Sequence, residues 1–246
     1  PVFTRILSKS DYGIVNTYNS WISILTIVMG FAIYMGIRAA FADYKEEIDD
    51  FMSVSTTFTL LCGAVITIMV GGVALFLPLN ISVSVVFLCL MQGVAAALLQ
   101  NYSMYLMMKY SYKLRTMFMI LPNLIAVIIS ILVILFVLES DLYMGRILPM
   151  ACVTIGFALI TVVMVYRKSH KFFDREKLKY ALAISAPLVL HGIALTLLSQ
   201  SDRMMITWLA DSAQTGGRNF RRSHKYCSHY SSSLATSWIP PSALDT

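Results

Sequence analysis

The chain has 246 residues, of which 58% are hydrophobic and 13% charged, with a formal net charge of +6. Soluble globular domains average roughly 45–50% apolar and about 25% charged residues, so this composition predicts a protein embedded in a bilayer. Nucleic-acid binding is not indicated, because the basic residues lie between apolar runs and not in one patch. The four cysteines contain no CxxC pair, and neither a disulfide framework nor a zinc site is predicted.

Six apolar stretches are long enough to cross a membrane, because a bilayer core about 30 Å thick needs around 20 helical residues. They lack the alternating polarity of short segments that is typical of a β-barrel. The sequence therefore predicts an all-α, polytopic integral membrane protein, with a membrane domain over residues 1–215. Its predicted transmembrane helices are 15–37, 52–77, 81–107, 116–138, 147–166 and 180–210.

The connectors between these stretches differ in their content of lysine and arginine. Connectors 38–51, 108–115 and 167–179 hold eleven basic residues, whereas 1–14, 78–80 and 139–146 hold three. Cytoplasmic connectors carry the excess of lysine and arginine in membrane proteins. This bias predicts that the first set faces the cytoplasm, and it accounts for much of the net positive charge as a topology signal.

The chain changes character after Thr215. Residues 216–246 contain seven serines, several basic residues and two prolines, and they show no apolar periodicity. We expect this segment to be disordered. One hypothesis is that it is read in the wrong frame. Translation of the DNA beyond codon 216 in one of the other two frames should then give further apolar helices of about 20 residues, and the hypothesis fails if neither frame does.

Ionisable residues within an apolar stretch are costly and mark candidate functional sites. Only the last stretch has them: His191, Asp202 and Arg203, which share one half of a helical wheel with Gln200. One interpretation is an aqueous cavity in which Arg203 holds an anionic group and Asp202 or His191 responds to protons or ions. The alternative is that Asp202 and Arg203 form a local ion pair at the outer membrane interface. A helix would place Asp202 about 34 Å from Lys179, which is far enough to reach that interface.

Other polar residues within the stretches favour structural roles. Gln92, Gln100, Asn101 and Asn123 are interpreted as interhelical packing contacts over cavity lining. The serines and threonines at 53–59 are expected to hydrogen-bond back to their own helix. No phosphate-binding loop, catalytic set, metal site or cofactor site is predicted.

Two segments carry a family resemblance. The first is residues 3–14, from Phe3-Thr4-Arg5 to Asp11-Tyr12-Gly13-Ile14, followed by Tyr18-Asn19-Ser20-Trp21. The second is Ala186-Pro187-Leu188 with His191, followed by Leu198-Ser199-Gln200-Ser201-Asp202-Arg203 and Thr215-Gly216. Together they resemble polysaccharide flippases, the Wzx-like O-antigen and capsule repeat-unit members of the multidrug/oligosaccharidyl-lipid/polysaccharide exporter superfamily.

The resemblance implies a multi-pass protein of the cytoplasmic membrane that is a transporter and not an enzyme. Family members are two-lobed bundles of 12 to 14 helices, so this chain would be a fragment that covers most of the N-terminal lobe. They move undecaprenyl-pyrophosphate-linked oligosaccharide between leaflets by alternating access, driven by a proton or sodium gradient. The cavity residues carried over are Arg203, Asp202 and His191. The alternatives are a multidrug or cation exporter of the same superfamily and a non-transporting membrane subunit.

Overall fold

The computed structural model describes residues 8–76, 83–136, 143–169 and 173–209. The predicted tail 216–246 lies outside these residues. The described chain is helical and has no strands, which confirms the predicted all-α fold. Its helices are α1 (Lys9–Gly30), α2 (Ile33–Asp43), α3 (Ile48–Phe76), α4 (Val83–Met108), α5 (Tyr112–Phe136), α6 (Met144–Lys168) and α7 (Arg175–Leu209).

Five of these helices, α3 to α7, are long and apolar enough to cross a membrane, and α1 and α2 together would make a sixth span. The number of spans agrees with the prediction of about six. The prediction of one continuous helix over 15–37 was wrong, because the chain breaks after Gly30 and the two helix axes differ by 43°.

The break between α1 and α2 is made by two residues in the left-handed region, Phe31 (φ 48°) and Ala32 (φ 49°). This conformation costs residues other than glycine roughly 1–2 kcal/mol each. Tertiary packing holds it in place. Ala32 is buried, the rings of Phe31 and Phe58 meet edge to face at 6.1 Å, and Gly30 lies so close to Ala97 that an added Cβ would be 3.1 Å from the Ala97 Cβ.

We expect Ala32→Gly to cost less stability than Ala40→Gly, by about 2 kcal/mol in the free energy of unfolding. Both alanines are buried, so both substitutions remove a buried methyl group. Only Ala32 has a positive φ, where glycine relieves strain, whereas Ala40 lies within α2, where glycine weakens the helix. Thermal unfolding of the two variants in the same detergent measures the difference, and equal losses would contradict a strained break.

Helix α4 is the centre of the bundle. It packs against α1, α3 and α6, while α5 lies against α6 on one side and α7 lies against α1 and α2 on the other. The outward faces of α3 and α5 carry large exposed apolar side chains such as Ile68 and Phe136. Such faces suit contact with lipid, in which helices satisfy their own backbone hydrogen bonds.

The three lysine- and arginine-rich connectors meet at one end of the bundle. Asp49 at the start of α3 pairs with Lys109 at the end of α4, and Glu47 pairs with Lys177 at the start of α7. Ser169, which follows α6, donates a hydrogen bond to Asp50 at 3.0 Å. The connectors that the charge bias assigns to one side of the membrane therefore lie together.

Candidate transport surface

Helix α7 carries the four side chains that the sequence singles out. It continues through Pro187 to Leu209 without interruption. His191 is exposed, while Gln200, Asp202 and Arg203 belong to the C-terminal part of the same helix. The side chains of these three lie outside the described residues, so their grouping around an aqueous cavity stays a prediction, as does the alternative of a local interfacial pair.

One edge of α7 holds it to the bundle. Ala181, Ser185 and Val189 are buried along this edge, and Gly192 continues it against Ile27 of α1, where an added Cβ would lie 3.6 Å from the Ile27 Cγ2. Leu190 is 75% exposed. Leu190 belongs to the apolar half of the α7 helical wheel, so this half is not buried as a whole. The side of α7 that points away from α1 carries both polar and apolar residues.

Two buried polar pairs join neighbouring helices near the centre of the bundle. The Tyr18 hydroxyl of α1 donates to Gln92 Oε1 of α4 at 2.8 Å, and Asn101 Nδ2 of α4 donates to Thr59 Oγ1 of α3 at 3.0 Å. Gln92 and Asn101 are each 1% exposed. These contacts agree with the packing interpretation for both residues, because amides bonded across helices in the interior do not line a cavity.

The hydroxyls at the start of α3 bond mainly to their own helix. Thr56, Thr57 and Thr59 each donate to the carbonyl four residues earlier, at 2.8–2.9 Å, and Ser53 donates to Asp50 O at 2.8 Å. This confirms the expected back-bonding at those four positions. The expectation was wrong for Ser55, whose buried Oγ has no hydrogen-bond partner among the described residues. Thr57 also lies 3.0 Å from the Tyr166 hydroxyl of α6, so the same residue links two helices.

We expect Tyr18→Phe to lower the free energy of unfolding by about 1–3 kcal/mol, because Gln92 would be left buried without its partner. Adding Gln92→Leu should recover part of this loss, since the unsatisfied amide is then removed as well. The control is Tyr112→Phe, at an exposed tyrosine, with an expected change below about 0.5 kcal/mol. Chemical or thermal unfolding of these three variants and of Gln92→Leu alone tests this, and additive losses at 18 and 92 would contradict direct coupling.

A cluster of charges, here called the connector cluster, closes the end of the bundle where the basic connectors meet. Asp49 accepts a hydrogen bond from the Tyr105 hydroxyl at 2.5 Å and pairs with Lys109. The Lys177 Nζ lies 2.6 Å from Glu47 Oε2. Acids of the first connector are thus paired with bases of the other two, which ties α7 and α4 to the start of α3.

A comparison with protein families identifies the group to which this helical membrane bundle belongs. The model of a family described as polysaccharide biosynthesis protein matches residues 1–240. The chain belongs to this polysaccharide biosynthesis family. No curated protein and no solved structure matches the chain. The family match and the apolar helices together describe a multi-pass membrane protein of polysaccharide biosynthesis.

In this polysaccharide biosynthesis protein, a second polar helix face lies on α1, beside α7. Its members recur every three or four residues and are half-buried: Tyr12, Asn16, Asn19, Ser23 and Thr26. Mean hydropathy over the stretch does not reveal this face, because apolar residues on the other sides of the helix outweigh it. The spacing itself is the signal, since residues three and four apart share a helix face.

Proposed function

We propose that this chain translocates undecaprenyl-pyrophosphate-linked oligosaccharide across the cytoplasmic membrane by alternating access, in the manner of an O-antigen or capsule flippase. The observation that carries the proposal is that a multi-pass helical bundle belongs to a polysaccharide biosynthesis family. A lipid-linked sugar needs such a protein because its head group is too polar to cross hydrocarbon unaided. Its polyprenyl chain can stay in lipid while a polar surface replaces water around the sugars.

Helix α7 supplies the residues proposed to meet the charged part of the cargo. Arg203 would bind the pyrophosphate through charge-assisted hydrogen bonds, for which a guanidinium is well suited. Asp202 and His191 would respond to the proton or sodium gradient that drives transport, with Gln200 as a further polar contact. The proposed roles use the chain's own side chains and require no cofactor.

The proposal is tested by reconstituting the purified chain in liposomes with a fluorescent undecaprenyl-pyrophosphate-linked oligosaccharide. The readout is the fraction of glycan that becomes accessible to an impermeant glycosidase with time. We expect Arg203→Ala to slow this transfer about tenfold or more, the effect of losing charge-assisted hydrogen bonds. Arg38→Ala, at an exposed arginine of α2, is the matched control with an unchanged rate.

The same liposomes separate the alternatives. Efflux of a cationic dye without movement of the glycan would replace the proposal with a multidrug or cation exporter. Movement of neither compound would indicate a non-transporting membrane subunit. An imposed proton or sodium gradient should accelerate glycan transfer, and Asp202→Asn should abolish that acceleration if Asp202 is the coupling group.

A further inference from the structure

The polar face of α1 extends over most of the length of this helix. At about 100° per residue its five side chains occupy an arc of about 80°, and they extend over about 21 Å of helix. We call this set the α1 stripe: Tyr12, Asn16, Asn19, Ser23 and Thr26. The stripe contains no charged residue, and the far side of the helix carries apolar residues such as Ile14, Trp21 and Val28.

Contacts of α1 with its two neighbours place the α1 stripe beside α7. On one side Tyr18 bonds to Gln92 of α4. Leu25 faces α4 as well, since a Cβ added to Gly93 would lie 2.9 Å from its Cβ. On the other side Ile27 contacts Gly192 of α7. On the helix wheel the edge of the stripe lies about 20° from Ile27, so the stripe runs along the side of α1 next to α7, and we call this half-buried side the groove.

The hydrogen bonds of the α1 stripe leave acceptors and donors open to the groove. Ser23 and Thr26 donate to their own helix, at 2.9 Å to Asn19 O and 2.7 Å to Ile22 O, which leaves lone pairs on both hydroxyls. Asn16 Nδ2 donates to Tyr12 O at 2.9 Å. The Asn19 side chain makes no hydrogen bond to the described part of the chain.

The side-chain amide of Asn19, which lies well inside the helix and has no hydrogen-bond partner among the described residues, needs water or a polar ligand. Asn19 lies about 15 Å along α1 from Lys9, at 1.5 Å per residue. Exposure of an unpaired amide to hydrocarbon is unfavourable, because the amide loses its hydrogen bonds to water without gaining others. All five side chains of the stripe are half-buried, so they are not fully packed against another helix. They are also too polar for contact with lipid. A groove that holds water or a hydroxylated ligand satisfies these side chains.

We propose that the α1 stripe binds the sugar residues of the lipid-linked cargo. Neutral amides and hydroxyls both donate and accept hydrogen bonds, as the hydroxyls of an uncharged sugar do, and a row of them suits an extended glycan. The stripe has no cation for the pyrophosphate and no carboxylate for a cationic drug. The inference rests on the proposed function, and it assigns the sugars to α1, apart from the charged group assigned to α7.

The first test measures access of water and cargo to the stripe without any transport. Single cysteines replace Asn19 and Ser23 on the stripe, or Ile14 and Val28 on the far side. The background has alanine at the native cysteines: Cys62, Cys89, Cys152 and Cys227. A membrane-impermeant thiol reagent should modify positions 19 and 23 at least about tenfold faster than 14 and 28, because thiolate formation needs water.

Ligand protection then identifies what the stripe contacts. Undecaprenyl-pyrophosphate-linked oligosaccharide should slow modification at positions 19 and 23 several-fold, whereas undecaprenyl pyrophosphate without sugars should not. Equal protection by both lipids would overturn the assignment to sugars and indicate contact with the lipid or its pyrophosphate. Equal modification of all four positions would overturn the aqueous groove itself.

The second test uses transport and separates this inference from the proposed function. Asn19→Leu should reduce glycan transfer at limiting substrate about tenfold, the effect of losing one or two hydrogen bonds, and Asn19→Gln should retain more activity. Ile14→Leu is the matched control. If the unaltered chain transfers glycan and Asn19→Leu does so at the same rate, the stripe assignment is wrong while the function stands. If the unaltered chain transfers none, the function fails, and with it the assignment of sugars to the stripe.

Discussion

Gly36→Val is expected to lower the free energy of unfolding by about 2–4 kcal/mol. At this position α2 and α7 approach so closely that an added Cβ would lie 3.1 Å from Ser185 Oγ and 3.2 Å from Ala181 O. Ala181 O is a backbone atom and cannot rotate away, so the two helices must separate. For a chain of this size the midpoint of thermal unfolding should fall by roughly 5–15 °C.

The chain contains its own control for this effect. A Cβ added to Gly72 in α3 meets nothing within 4 Å, so Gly72→Val should leave the midpoint nearly unchanged. Gly36→Ala should fall between the two, because it adds only the crowded Cβ. If Gly36→Val and Gly72→Val shift the midpoint equally, the loss reflects glycine replacement in general and not the contact between α2 and α7.

The close contact also explains how α7 is attached to the bundle. Gly36 of α2 lies against Ala181 and Ser185 of α7, and Ala40, four residues beyond Gly36, is also small and buried. Small residues allow helix backbones to approach closely in membranes, where packing and not hydrophobic burial drives association. Among the side chains of α7 that the structure describes, the buried ones lie before Gly192, whereas Gln200, Asp202 and Arg203, which are assigned to the cargo, follow it.

The sequence predicts the helices well because crossing a bilayer imposes a length and a composition on each segment. The break at Phe31 and Ala32 was not predictable in this way, since the residues on both sides are apolar and no proline is present. The left-handed conformation of these residues is imposed by packing against Phe58 and Ala97, which belong to other helices. Local sequence does not contain that information.

The sequence also does not predict which residues of different helices pair with each other. The residue type of Gln92 predicts an interhelical hydrogen bond, but its partner Tyr18 is 74 positions away. The helical wheel of α7 separates a polar from an apolar half, yet Gly192 of the polar half faces α1 and Leu190 of the apolar half is exposed. Periodicity gives the faces of a helix, whereas the choice of face depends on which neighbours pack against it.

The ion pair between Lys177 and Glu47 should respond very differently to loss of its two members. The Lys177 side chain is 4% exposed and that of Glu47 is 60% exposed. Apart from Glu47 Oε2 at 2.6 Å, the described residues offer the Lys177 Nζ no acceptor, so this carboxylate is its main compensation. Glu47→Gln would leave a buried, uncompensated ammonium group and should cost about 2–3 kcal/mol, which is below the range for fully buried pairs because Glu47 is partly solvated.

Lys177→Met should cost less than about 1 kcal/mol, because the new side chain fills a similar volume without a charge to desolvate and Glu47 can be solvated by water. The double variant should match Lys177→Met, since Glu47 then has no buried charge to compensate. Glu46→Gln, at the exposed neighbouring acid, is the control and should change stability by less than about 0.5 kcal/mol. Unfolding midpoints of the four variants in one detergent decide this. Equal losses for Glu47→Gln and Lys177→Met would mean that the pair acts as an ordinary surface ion pair, and that α7 is held to the first connector by packing alone.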